Sequence, residues 1–300
     1  VRITKPTYCV WIVAPPGDIH WQCLNEAANG IFFSLAELGH GAYVCSSINP
    51  PQVEYDRLIV FNSHVSAALL PEHAIIYNSE QIPPTDSPVS PRWNQYIEKL
   101  RKHTVWDYSK TNQERLAARG VKSILCPIGY YPQMERITED VKQDIDVLFY
   151  GSMNARRNKI VNDCDKAGLV TKHLFGIYGE ERDAVIARSK IIANVHFYPS
   201  PIWEIFRCSY LIGNKKCVVS ENEGCDLGLE AIASATTHHV SYSKIVEECK
   251  MLASDYALRE QTSSMAYRTF KERGQTERVK IALKCSPKFI DEEKRSAVHG

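Results

Sequence analysis

The sequence predicts an α/β chain built from two Rossmann-like parallel-sheet domains facing a cleft. Three observations predict it. Short apolar runs alternate with helical spacings from residue 8 to residue 128, the same alternation restarts at residue 146, and a polar stretch, 129–145 (GYYPQMERITEDVKQDI), separates the two. Parallel strands need crossover connections, and a crossover helix covers the sheet it serves, so strand–helix alternation is the mark of this architecture. A chain of 300 residues suffices for two such domains.

The elements follow in order. Residues 8–14 (YCVWIVA) form a continuous apolar run, as a strand buried on both faces does. The turn PPGD follows, then Leu24, Ala27, Ile31, Leu35 and Leu38 recur at helical spacing up to Gly39 and Gly41, a stop signal. Tyr43–Cys45, Arg57–Phe61, Ala74–Tyr77, Thr104–Tyr108 and the segment VKSILCPI supply five further strands, with a short helix expected at 65–70, a Pro-rich loop at 82–91 and helices at 92–102 and in TNQERLAARG. In the second half, strands at 146–150, 172–175, 191–197 and 216–220 alternate with helices at 156–167, 180–189 and 203–213. Beyond 226 the spacing is helical, through 227–235, 243–252 and 254–273, and the tail DEEKRSAVHG reads as loose. The expected domains are 1–135 and 136–270, with 271–300 a closing helix and tail and 129–145 a linker.

Composition narrows the function. Lys+Arg 36 against Asp+Glu 35 leaves no general electrostatic grip on nucleic acid or anionic lipid. No apolar run reaches the length of a membrane span, and the N-terminal residues lack the pattern of a signal peptide, so a cytoplasmic protein with no integral membrane association is expected. Ten cysteines are scattered without a CxxC pair; Cys9, Cys45, Cys126 and Cys217 sit inside apolar patterns, which suits buried reduced thiols. His238–His239 lacks a spaced third ligand, so no metal site is expected.

Ligands of parallel sheets sit on the loops that leave the carboxyl ends of the strands. In the second half the first such loop is GSMNARR, with Gly151, Asn154, Arg156 and Arg157 as candidates for holding a diphosphate. The two arginines open the next helix, where free N–H groups and the dipole attract phosphate and the guanidinium fork adds to them; an ordinary surface pair is the alternative. The second loop, FGIYGEERD, offers Gly176 for close backbone approach and Tyr178 for stacking on a flat ring, unless it is a plain turn. The third, YPSPIWEIFR, offers Tyr198, Ser200, Glu204 and Arg207. Glu204 would accept from sugar or ribose hydroxyls, or only cap a helix; Arg207 would bind phosphate, or only pair with Glu204. The fourth, SENEG, offers Ser220 and Glu221 as hydroxyl or phosphate partners, or solvated groups. In the first half, PPGDIH offers Gly17, Asp18 and His20. Gly17 lets backbone approach the ligand, Asp18 is a ligand contact or an N-cap, and His20 is a candidate general base if the helix begins near residue 19. His64 and Glu80 hold comparable positions after later strands.

The run from Phe175 to Ser220 resembles the donor half of nucleotide-sugar glycosyltransferases of the GT-B fold, the group-1 retaining branch marked by two glutamates with seven residues between them. Gly176, Pro199, Ser200, Glu204 and Phe206 stand in that family's order, FYGSMNARRNKIV is similar to its diphosphate-binding turn, and PPGDIH to ELGH resembles its first loop and helix. The resemblance implies a metal-independent hexosyl- or pentosyltransferase with no bound cofactor and a UDP- or GDP-sugar as co-substrate. His20, Arg157 and Glu204 would be its catalytic residues, and the last helices would return to the first domain. The acceptor is open: glycan, protein, small molecule or modified nucleic acid. Three departures stand out: Ile212 occupies the second glutamate's place, Arg207 stands where glycine is usual, and a single Gly17 replaces a glycine pair. Two alternatives stay open, a sugar-nucleotide epimerase on the same fold and a catalytically degenerate nucleotide-sugar-binding subunit.

Overall fold

Each half of the chain folds around a wholly parallel sheet, of six strands in the first and five in the second. The structure is a computed structural model that describes residues 5–65, 70–85, 90–197, 202–222 and 238–287.

The first compact unit comprises 1–127 together with 275–300. Its strands are β1 (Thr7–Val13), β2 (Gly41–Ser47), β3 (Arg57–Phe61), β4 (Ile75–Asn78), β5 (Thr104–Asp107) and β6 (Ile124–Leu125), in the order β2-β1-β3-β4-β5-β6. The central strands are apolar on both faces because helices cover both; Trp11, Ile59, Phe61, Tyr77 and Trp106 are fully buried. Its helices are α1 (Asn25–Glu37), α2 (Pro91–Arg101) and α3 (Lys110–Ala117). Proline opens α2, and the Ser109 hydroxyl caps α3 by accepting from Asn112 N at 3.2 Å. Asn62, with a positive φ of 58°, donates from Nδ2 to Val13 O at 2.8 Å and ties the carboxyl ends of β1 and β3 together.

The second unit comprises 128–274. Strands β7 (Ile145–Tyr150), β8 (Thr171–Leu174), β9 (Ser189–Asn194), β10 (Cys217–Glu221) and β11 (His238–Val240) lie in the order β11-β10-β9-β7-β8. Around them are α4 (Ala155–Lys166), α5 (Gly179–Ala187), α6 (Ile205–Gly213), α7 (Ile245–Ser254) and α8 (Tyr256–Lys271). Val147, Phe149, Ile191, Ala193, Val195, Cys217 and Val219 face Ile160 and Cys164 of α4 and Ile245, Cys249 and Leu252 of α7. The alternate residues Leu148, Ile192 and Val218 are equally buried, which places them on the opposite face.

The structure departs from the sequence reading at the domain divides and at residues 238–240. The expected divides at 135 and 270 lie at 127 and 274, because 129–145 is packed chain rather than a loose linker. Tyr130, Met134 and Ile137 are buried, and Asn214 at the end of α6 accepts from Arg136 N at 2.7 Å and Ile137 N at 2.9 Å while donating to Met134 O at 2.9 Å. After Gly274 a further helix, α9 (Gln275–Cys285), packs on α1, with Trp106 Nε1 donating to Ser286 Oγ at 3.0 Å. The His238–His239 pair is part of the edge strand β11, which the helical reading of that region missed. A 3-10 turn, Ser63–Val65, follows β3; 66–69, where most of the helix expected at 65–70 falls, lies outside the described residues, as do 227–235 and 291–300. The described cysteines are free thiols. Among the described residues, no helix is long and apolar enough to cross a membrane, and no cluster of three or more His, Cys, Asp or Glu suits a metal ion.

Candidate functional site

Each sheet reverses its strand order once, between β1 and β3 in the first and between β7 and β9 in the second. Such switch points open a crevice at the carboxyl ends of the strands, where ligands of open parallel sheets bind. In the second unit the loops leaving β7, β9 and β10 carry most of the expected site residues, and the structure brings these side chains together.

Gly151 ends β7 with a φ of +125°; a Cβ there would stand 2.8 Å from Arg207 Nη2, so glycine makes room for that guanidinium. Asn154 caps α4. Its Oδ1 accepts from Arg157 N at 2.9 Å, and its Nδ2 donates to Phe197 O at 3.0 Å, which joins the loop after β7 to the loop after β9. Arg157 is only 4% exposed. Its Nε donates to Val195 O and its Nη1 to Ser152 O, both at 2.8 Å, and its Nη2 lies 3.5 Å from Glu204 Oε1. The rings of Phe149 and Phe197 flank it, each centred 5.1 Å away. Burial, and then the neighbouring Arg207 charge, lower its pKa to about 10, which leaves it cationic at neutral pH. Arg156 serves a different carboxylate: it grips Glu221 with two nitrogens and lies 4.0 Å over the Tyr242 ring, whose hydroxyl donates to Arg156 O at 2.8 Å.

Glu204 stands at the N-cap position of α6, yet its side chain makes no capping bond. The capping alternative is therefore set aside. Oε2 accepts instead from His196 Nδ1 at 2.8 Å and Asn194 Nδ2 at 3.0 Å. Burial works to raise its pKa, but the His196 hydrogen bond, the Arg207 charge and the Asn194 hydrogen bond outweigh it and hold the carboxyl at about 2. The direct pair between Glu204 and Arg207, the alternative to phosphate binding, gives way to another arrangement. Arg207 Nη1 donates to Asn194 Oδ1 at 2.8 Å and its guanidinium lies over Tyr150, 5.2 Å from the ring centre. Ser220 is buried, and its hydroxyl accepts from Asn194 Nδ2 at 3.0 Å and Trp203 Nε1 at 3.2 Å, so it serves the fold rather than a ligand. Glu221 is also buried and is engaged by Arg156 and by His196 N, at 3.1 Å.

Gly176 and Gly179 have positive φ, 70° and 59°, and bracket the turn after β8 that presents exposed Phe175 and half-buried Tyr178, on the strand beside β7. Tyr198 and Ser200 lie outside the described residues. In the first unit Gly17 has a positive φ of 77°, and Asp18 Oδ1 accepts from His20 N at 2.7 Å, so Asp18 acts as a local cap. His20 is exposed and opens the helical segment, which begins as a 3-10 turn, His20–Leu24, and continues directly into α1 at Asn25. His64 Nδ1 lies 3.3 Å from Glu80 Oε1, while burial and the charges of Arg92 and Lys99 lower the imidazole pKa to about 4.

Two members of the cluster, Asn194 and His196, escaped the sequence reading because they lie at the end of an apolar strand. Their signal is visible afterwards: in IIANVHF the two polar residues fall on alternate positions, hence on one side of the chain.

No family model matches the chain. Two proteins of Acanthamoeba polyphaga mimivirus are similar in sequence. Protein L140 is 26% identical over 209 residues, covering 65% of this chain and 66% of that protein. Protein L138 is 32% identical over 106 residues, covering 35% of this chain and 12% of that protein. The chain thus spans just under two thirds of one relative and a small part of the other. Solved structures match over nearly the whole length. Anabaena HepE in complex with UDP and glucose superposes with a TM-score of 0.58 at 12% identity, covering 97% of this chain and 100% of that one. AviGT4, a glycosyltransferase involved in avilamycin A biosynthesis, gives 0.59 at 15% identity, covering 93% and 96%. A T4 phage BGT mutant in complex with UDP-glucose gives 0.57 at 12% identity, covering 93% and 98%. With its two parallel sheets and these neighbours, the chain has the GT-B fold of nucleotide-sugar glycosyltransferases.

Proposed function

We propose that this chain is a glycosyltransferase that moves a hexosyl or pentosyl group from a nucleoside-diphosphate sugar to an acceptor hydroxyl, with the donor held at the carboxyl edge of the second sheet. The observation that carries the reading is the gathering of Arg156, Arg157, Arg207, Glu204 and Glu221 at that sheet's switch point, on the first turns of α4 and α6 and the end of β10. Guanidinium forks and free helix N–H groups are what a diphosphate needs. Charge builds on the diphosphate as the sugar–phosphate bond breaks, and preorganised cations there lower the barrier. Arg156, 31% exposed, is the guanidinium best placed to exchange Glu221 for a ligand oxygen, while Arg157 sets the shape of the pocket floor.

The donor is a UDP- or GDP-sugar; neighbours solved with UDP, glucose or UDP-glucose make UDP-glucose the first probe. The counter-charge comes from arginine, so the reaction is proposed to run without a metal ion, and turnover is expected to survive excess EDTA. His20 is the proposed base for the acceptor hydroxyl, contributed by the first unit. The test is UDP or GDP release from their sugars with and without an acceptor mixture, on the protein itself and on His20→Ala. Release that depends on acceptor, lost in His20→Ala while donor binding persists, supports transfer. Conversion of the donor to a stereoisomer without acceptor marks an epimerase. Ile212 is fully buried within α6 and offers no ribose contact, which favours a degenerate subunit as the second reading; tight donor binding with no turnover toward any acceptor would identify it.

A further inference from the structure

His196 has no part in the site as expected from sequence, yet its ring is as enclosed as any titratable group of the cluster. It follows β9 directly and is 1% exposed. Its backbone N donates to Glu221 Oε2 at 3.1 Å and its Nδ1 lies 2.8 Å from Glu204 Oε2, so both glutamates of the cluster hold it in place. The other ring nitrogen, Nε2, is buried and has no hydrogen-bond partner among the described residues.

The chemistry of that nitrogen follows from its partner. Glu204 is held as a carboxylate by the histidine, asparagine and arginine around it, and a carboxylate only accepts. The hydrogen bond therefore places a proton on Nδ1, and in the neutral ring Nε2 presents a bare lone pair. Buried polar atoms are nearly always paired, and an orphan beside a cluster of charged groups at a sheet's switch point is an atom waiting for a ligand. A lone pair requires a donor. The phosphates of a nucleoside-diphosphate sugar only accept, whereas the hydroxyls of its ribose and of the transferred sugar donate.

We infer that His196 contacts the ligand directly, its Nε2 accepting a hydrogen bond from a hydroxyl of the bound nucleotide sugar, with Glu204 a positioning residue that fixes the ring. The inference rests on the donor-site reading above and revises the role that the family resemblance implies for Glu204. The carboxylate is already occupied by His196, Asn194 and Arg157, so the imidazole presents to the ligand what the glutamate would otherwise offer.

The experiment is calorimetric titration of the full chain with UDP and with UDP-glucose, on the unaltered protein, His196→Asn and His196→Gln. Asparagine keeps a donor near the Nδ1 position for Glu204 and removes Nε2; glutamine puts an amide near Nε2 and gives up the Glu204 contact. The expected result is that His196→Asn keeps its unfolding midpoint and binds UDP-glucose at least about tenfold more weakly. If UDP binding is unchanged, the hydroxyl belongs to the transferred sugar; if UDP weakens by the same factor, it belongs to the ribose. Unchanged affinity of His196→Asn for both probes overturns the inference and leaves His196 a structural residue. Should that variant fail to fold, the ring 15N spectrum of the unaltered protein decides. A histidine with protonated Nδ1 whose Nε2 signal moves on adding UDP-glucose, and is missing from His196→Gln, supports the contact; an Nε2 signal indifferent to saturating UDP-glucose overturns it. An unaltered protein that binds neither probe sinks the donor-site reading itself, and the contact with it.

Discussion

Two buried carboxyl groups, one at the carboxyl edge of each sheet, are held in opposite states. Asp107 ends β5 and accepts from Asn78 Nδ2 at 2.7 Å and Ser109 N at 2.9 Å, while Tyr96 and Asn112 complete a neutral network through Asn78, Glu80 and Ile82. Burial wins there, and the pKa is pushed up to about 7 despite those hydrogen bonds. Glu204 is enclosed too, but Arg207 and Arg157 bring positive charge beside it, His196 and Asn194 donate hydrogen bonds to it, and it stays near 2. A network that only closes a fold has no need of cations, since neutral donors satisfy a buried acid. Opposed charges gathered around a buried carboxylate are the pattern of a binding site. The same kind of parallel sheet thus ends in a neutral network in one unit and in a charged cluster in the other.

The comparison can be broken or sharpened in four ways, from the largest expected effect down. Arg157→Ala leaves Glu204 short of a cation and strands Val195 O and Ser152 O, so it should cost about 3–5 kcal/mol in chemical denaturation. A loss under about 1 kcal/mol would mean that Arg157 is not the keystone of the cluster, and the same expected cost makes Arg157→Ala a poor probe of binding alone. Asp107 comes next. Its folded pKa is raised, so its contribution is present below its unfolded value near 3.8 and is lost as pH rises through about 7. The swing is on the order of 4 kcal/mol, and Asp107→Asn should flatten stability between pH 4 and about 7. Glu204 has the opposite sign. Its folded pKa is depressed, so stability is present above the unfolded value near 4.5 and is lost as pH falls to about 2. That loss, on the order of 3 kcal/mol, should vanish in Glu204→Gln. Parallel pH slopes in the two variants would erase the distinction between the sheets. The smallest effect belongs to Asn154→Ala, which removes the α4 cap and should cost about 1 kcal/mol, with donor affinity following only as far as the loop after β7 loosens.

The architecture was legible because periodicity reports burial directly. Arg57–Phe61 is β3 as read, the run at 146–150 differs from β7 by one residue at its start, and the run at 216–220 from β10 by one residue at each end. Short elements were harder: β11 has three residues and no apolar alternation, and the segment after Gly129 reads as polar although Met134 and Ile137 anchor it. In the site, residue types at strand ends pointed to Arg156, Arg157, Glu204, Arg207 and Glu221, but not to who pairs with whom. The i, i+3 spacing of Glu204 and Arg207 suggests a pair, yet Asn194 takes the guanidinium and His196 the carboxylate, because β9 ends between them. Partners that come from a neighbouring strand leave no local spacing in the sequence.

The central claim, that the carboxyl edge of the second sheet binds a nucleotide sugar, is tested most directly by titrating UDP-glucose, with GDP in parallel, into the unaltered protein and Arg156→Ala. Arg156 is partly exposed and its loss spares the buried floor, so the variant should keep its unfolding midpoint while affinity falls about 10- to 100-fold, the worth of a charge-assisted hydrogen bond. Absence of binding at millimolar nucleotide, or equal affinity in the two proteins, would contradict it.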